Sequence, residues 1–187
     1  MDAFSYLSVL LSIILGLGLT QILTAIGRLI RHRERIRVDW IPLVWACVLL
    51  VIYVQTWWAM FGLREVKDWT FVEFSIVLAQ TVTLYLMAAV ILPEQVGEAE
   101  VDLAEHYDKQ HGWFFGLLLA TLVISVIKDL TIGGHWPTPA NLAFHGVLAT
   151  TCIIAIVARS RRVQAAIAIA GTAGVVLYIG LLFARLG

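Results

Sequence analysis

Gln21, Gln55, Gln80 and His145 are the side chains best placed to do chemistry, because each interrupts a long apolar run near its middle. At a helical rise of 1.5 Å per residue, Gln80 falls near the centre of its run. Gln55 and His145 lie about 5 Å to one side of centre, and Gln21 about 6 Å to the other. Asn141 is one helical turn before His145 on the same face, and Tyr53 sits at similar depth. Hydrocarbon offers no hydrogen-bond partner, so side chains of this kind must face protein or water. One reading is a polar constriction or binding layer that passes a proton, an ion or a small solute. His145 would be its only member that titrates near neutrality. The other reading is interhelical glue, with amide, hydroxyl and imidazole groups each contributing about 1 kcal/mol between helices. No acidic or basic residue occupies the middle third of any run, which argues against a carboxylate-driven cotransporter and against a fixed charged filter.

The elements that must position these groups follow from hydropathy. The chain is 60% hydrophobic and 14% charged, against roughly 25% charge in a soluble domain, and its mean hydropathy is +0.89. The apolar residues fall into six runs at about 4–30, 41–63, 71–92, 113–131, 139–158 and 164–184. Each is near the roughly 20 residues that cross a bilayer as a helix. The expectation is an all-α, polytopic membrane bundle of six transmembrane helices, one domain over 1–187. The start, Met1-Asp2 and a long apolar run leading into arginines, reads as a retained helix and not as a removable leader. Zero formal net charge gives no argument for nucleic acid as a partner.

Arg28 and the run Arg31–Arg37 follow the first span, and Arg159, Arg161 and Arg162 follow the fifth. In a six-span chain these loops share a side, and basic loops stay cytoplasmic. Both termini are therefore expected outside, in a multi-pass inner (cytoplasmic) membrane protein. Pro93 to Gly112 is the longest polar stretch. Glu94, Glu98, Asp102 and Glu105 share one helical face there, so a short cytoplasmic amphipathic helix over about 94–110 is expected between spans three and four. It offers a counter-surface to the arginine loops and a possible docking site for a cytoplasmic partner. Its His106 and His111, with Asp102 and Asp108, are metal-ligand types, but histidines five apart lie on different helical faces. No metal and no cofactor are expected.

Glu73, Lys128, Asp129 and His135 form an expected outer rim, either a vestibule for ions or ordinary interfacial anchoring. Ser8, Ser12, Gly16, Thr20 and Thr24 make a four-residue-spaced ribbon of small residues on the first span. Ala166, Ala170 and Gly174 repeat the spacing on the sixth. Small residues at this spacing let backbones approach, so spans one and six are expected to be neighbours. Trp40, Trp57, Trp58, Trp69, Trp113 and Trp136 lie near run ends, where aromatic belts form. Cys47 and Cys152 lie inside apolar runs and read as two buried thiols. No HExxH, GxSxG or phosphate-cradling glycine loop is present, so an enzyme is not expected.

Gly16-Leu17-Gly18-Leu19-Thr20-Gln21, the Trp57-Trp58 pair before Gly62-Leu63, and Glu105-His106-Tyr107 resemble segments of an uncharacterised family of bacterial six-span integral membrane proteins. The resemblance covers most of the chain and implies the six-span fold, with no activity attached. The leading functional expectation is a channel or carrier for a small ion, proton or solute, acting as a homo-oligomer in the lipid bilayer. The alternatives are a non-transporting scaffold or accessory subunit working through its cytoplasmic loops, and a lipid- or quinone-binding membrane sensor.

Overall fold

A polar residue just before the helix start caps four of the helices. Asp39 accepts from the Ile41 N–H (2.8 Å), starting α2 (Trp40–Ala59). Thr70 and Glu73 exchange hydrogen bonds in a reciprocal cap that opens α3 (Phe71–Ile91). Asp102 caps α4 (Leu103–Ile132) through the N–H groups of Ala104 and Glu105. Thr138 caps α5 (Pro139–Val157), whose first residue is a proline. With α1 (Ala3–Arg31) and α6 (Arg161–Leu182) these complete an all-helical chain. The computed structural model describes residues 3–66, 68–94, 100–134 and 136–182.

All six helices are long and apolar enough to cross a membrane. The outer surface is hydrophobic along their lengths, with Leu17, Leu23, Val54, Val123, Val147 and Val176 each more than half exposed. An outside as oily as the inside is how a protein solvated by lipid differs from one solvated by water.

Pro93 stops α3 and the Gly133-Gly134 turn, with Gly134 at φ +66°, separates α4 from α5. α4 begins ten residues before the expected 113 and runs straight through Gly112, and no separate amphipathic helix precedes it among the described residues. A glycine inside a helix costs only about 1 kcal/mol, which the packing of Leu103, Tyr107, Phe114 and Phe115 outweighs. Of the expected helix over 94–110, residues 95–99 lie outside the described residues, and 103–110 are the first turns of α4.

The arginine loops gather at one end of the bundle. Ile36–Arg37 (β1) pairs in parallel with Val101–Asp102 (β2), a two-residue clasp that the hydropathy pattern does not signal. Arg37 bridges Asp102 at 3.3 Å, and Arg161 bridges both Asp108 (3.3 Å) and Asp39. Among the described residues, Asp102 alone of the expected acidic face pairs with an arginine loop, and the other arginine bridges at this end use Asp39 and Asp108. Asp102 and His106 are occupied here: His106 Nε2 donates to the Val90 carbonyl (3.1 Å) and His111 bonds the Asp108 carbonyl (3.0 Å). Among the described residues, no three His, Cys, Asp or Glu side chains converge as a metal site.

α1 packs chiefly on α3 and α2, while α6 packs on α2 and α5. Spans one and six are not the expected neighbours. The buried stripe of α1 is Leu11, Leu15, Gly18, Ile22, Ala25 and Leu29, alternating steps of four and three. Strict four-residue steps advance about 400° and drift off such a stripe by about 40° each. Ser12, Gly16 and Thr20 are consequently exposed, and Ser8 and Thr24 only half-buried. Ala166 and Ala170 are exposed as well, and Gly174 has only Leu148 near it. A Cβ placed on Gly16 meets nothing within 4 Å. Gly16→Ala should therefore leave the thermal midpoint of the detergent-solubilised monomer unchanged, or raise it by the helix-propensity gain of up to about 1 kcal/mol. Cys47 is likewise exposed rather than buried, whereas Cys152 is buried.

Candidate functional site

α2, α3, α4, α5 and α6 enclose an elongated cavity of two lobes, with Gln55, Thr56, Gln80, Ser125 and Tyr178 lining both. The inner lobe, ≈ 110 Å³, has mostly apolar walls from Ile52, Leu118, Leu122, Leu148 and Val175, with Thr121, His145, Thr151 and Cys152 among them. The outer lobe, ≈ 270 Å³, is bounded by Met60, Gly62 and Leu63 beyond the end of α2, and by Lys128, Asp129 and Asn141. Either volume exceeds the roughly 30 Å³ share of one water molecule.

Toward the arginine end, Trp45 and Phe115 floor the inner lobe. Their rings pack edge-on at 5.2 Å, and Phe114 completes the cluster at 5.6 Å and 5.3 Å from the two. Gly171 permits this arrangement, because a Cβ there would come within 2.6 Å of the Trp45 indole. Below the rings, buried Gln164 donates to the carbonyls of Ala155 (2.8 Å) and Ala158 (2.7 Å) and accepts from the Tyr107 hydroxyl (2.9 Å). The cavity is thus blind toward the arginines and extends toward the other end of the bundle.

Polar geometry inside the cavity is specific. A carbonyl oxygen only accepts, so the 2.9 Å contact from His145 Nδ1 to the Asn141 carbonyl places the proton on Nδ1. In the neutral ring, Nε2 is left as an acceptor. The Asn141 side chain links two more helices: its Oδ1 accepts from the Tyr178 hydroxyl (3.2 Å) and its Nδ2 donates to Asp129 (3.4 Å). Thr121 Oγ1 donates across to Thr83 Oγ1 (2.9 Å), whose own hydroxyl donates to the Gln80 carbonyl (2.8 Å). The Gln55 and Gln80 side-chain amides have no hydrogen-bond partner among the described residues while lining both lobes. Two amides so placed present donors and acceptors to whatever fills the space.

The expected site residues divide. Gln55, Gln80, His145 and Asn141 come together in the cavity, joined by Lys128 and Asp129 from the expected rim. Gln21 and Tyr53 do not. Gln21 is on α1, which contributes nothing to the cavity wall, and Tyr53 turns to the opposite side of α2, its ring buried against Gly18 of α1. Glu73 is taken up by the cap of α3, accepting from the Thr70 N–H and hydroxyl, both at 2.8 Å. His135 lies outside the described residues. The sequence reading missed Gln164, Tyr178 and Ser125. Gln164 sits at the start of its apolar run beside Arg161 and Arg162, where a glutamine reads as interfacial, and nothing in one sequence marks it as buried.

No family model, no curated protein and no solved structure matches this chain.

Proposed function

We propose that the protein is a multi-pass membrane carrier for a small solute, held in a state whose binding cavity is closed toward the arginine end. The single observation that supports this reading is the two-lobed cavity: its walls come from five helices, its unpaired Gln55 and Gln80 amides face inward, and it stops at the Trp45–Phe114–Phe115 floor. Gln55 and Gln80 are half-buried, and two cavity-lining amides without a protein partner, beside a one-sided histidine, favour a site that is filled from outside the protein. A continuous channel needs an open path, whereas a blind cavity that alternates its exposure suits a carrier. In this reading the closed end is cytoplasmic and the termini are outside, which the asymmetry of basic residues supports.

Reconstitution into liposomes loaded with pH- and ion-sensitive dyes, with parallel uptake of labelled organic solutes, tests the proposal. Gln80→Leu and His145→Ala should each reduce any protein-dependent flux by tenfold or more. That is about the effect of losing one well-placed hydrogen bond of ~1.4 kcal/mol. Unchanged flux in both variants rejects the cavity as the pathway.

A further inference from the structure

We infer that the cavity opens toward the arginine end along the seam between α4 and α6, with Arg161 as the latch that holds this seam shut. This rests on the carrier reading above, in which the closed end must open, and adds where it opens.

The helices that wall the cavity are not joined equally. α4 packs on α3 and α5, and α6 on α2 and α5, while α4 and α6 scarcely meet backbone to backbone. Side chains fill the gap between them instead. The Trp45 indole of α2 stands there, edge-on to Phe115 of α4 and close over Gly171 of α6. Nearer the loops, the Tyr107 hydroxyl of α4 donates to Gln164 of α6 (2.9 Å). At the mouth, Arg161 in the first turn of α6 bridges Asp108 of α4 (3.3 Å), its guanidinium 5.6 Å from the centre of the Tyr107 ring. Asp39, the cap of α2, holds the same guanidinium from a third helix.

A seam of this kind parts at low cost. The Arg161 side chain is 35% exposed and that of Asp108 is 63% exposed, so water can take the place of either partner when the bridge opens. Ion pairs this exposed add little stability, unlike the ridge-and-groove packing of α4 on α3. The other ties at this end do not cross the seam: the Arg37–Asp102 bridge and the β1–β2 clasp join the first loop to the start of α4. Release of Arg161 and Gln164 therefore lets α6 swing from α4 as a hinged element. The Trp45 ring is then uncovered, and the inner lobe begins at that ring.

Spin labels on cysteines placed at Lys109 and Ala166, both exposed, read the width of the seam in nanodiscs by pulsed dipolar spectroscopy, with Cys47 and Cys152 replaced by serine and alanine. Arg161→Gln should raise the population of a second, longer distance by roughly three- to tenfold. Asp108→Asn should act in the same direction, and Arg161→Lys should keep most of the closed population. Raising salt from about 0.01 M to about 1 M shortens the screening length from about 30 Å to about 3 Å. That change should part the seam of the labelled chain and leave its Arg161→Gln variant as it was. Arg37→Gln breaks a bridge at the same end that does not cross the seam, and should change nothing. One unchanged distance in both variants and at high salt overturns the latch, as does equal parting by Arg37→Gln. The carrier reading survives that result if Gln80→Leu and His145→Ala still lose flux. A seam that parts while those two variants keep their flux rejects the carrier reading alone.

Discussion

Gly18→Ala should lower stability by about 1–3 kcal/mol, although alanine is the better helix former by about 1 kcal/mol. The reason is the approach of Tyr53. A Cβ on Gly18 would fall 1.9 Å from the Tyr53 hydroxyl oxygen and 2.4 Å from the ring carbon bearing it. Tyr53 has no exposed surface and so no room to retreat. The clash must therefore push α1 and α2 apart and loosen the core that Leu11, Leu15 and Ile22 belong to. Thermal unfolding in detergent, followed by helical signal, reads the effect. Tyr53→Leu in the same chain should recover most of the loss, giving a coupling energy of opposite sign to the single-site cost. The same geometry makes Tyr53→Phe nearly neutral or stabilising, because the hydroxyl is buried with no hydrogen-bond partner. If Gly18→Ala is as well tolerated as Gly16→Ala, the close approach of α1 to α2 described here is wrong.

Gln164→Met should cost about 3 kcal/mol, since one substitution strands three groups. The Tyr107 hydroxyl loses its acceptor, and the Ala155 and Ala158 carbonyls at the end of α5 lose their donors. Those carbonyls are among the last of a helix and have no partner from the following turn, so the glutamine amide serves in its place. Methionine fills nearly the same volume and isolates the polar term from cavity formation. Tyr107→Phe removes only one of the three bonds and should cost about 1 kcal/mol. Chemical denaturation of both variants orders them, and a Gln164→Met cost no larger than that of Tyr107→Phe would refute this account. Because Gln164 ties α4, α5 and α6 together beneath the aromatic floor, its loss should also raise solvent access to the cavity from the arginine end. Labelling of a cysteine placed at Thr151, with Cys47 and Cys152 replaced by serine and alanine, would report that as faster modification.

Read from the residues alone, the chain declares its six helices, because hydropathy over about 20 residues is a local sum that needs no partner. The limits of α1, α3 and α5 match to within one or two residues for the same reason, helped by local signals such as Pro93 and Pro139. The gathering of the arginine loops at one end follows from counting spans. Of the six candidates, Gln55, Gln80 and His145 reach one cavity because depth is also a local quantity, fixed by 1.5 Å per residue, and Asn141 joins them by sharing the face of His145 one turn nearer the helix start. Direction around the helix axis is not local. Gln21 and Tyr53 have the right depth and the wrong azimuth, and azimuth is decided by which neighbour each helix finds. In lipid every apolar face is equally well solvated, so hydrophobic periodicity carries no inward arrow as it does in water. The four-residue ribbon on α1 is the clearest case: Gly16 and Gly18 are two residues apart and look alike in sequence. Only the tertiary structure, by laying Tyr53 against one and nothing against the other, decides that Gly18 holds the fold together and Gly16 does not.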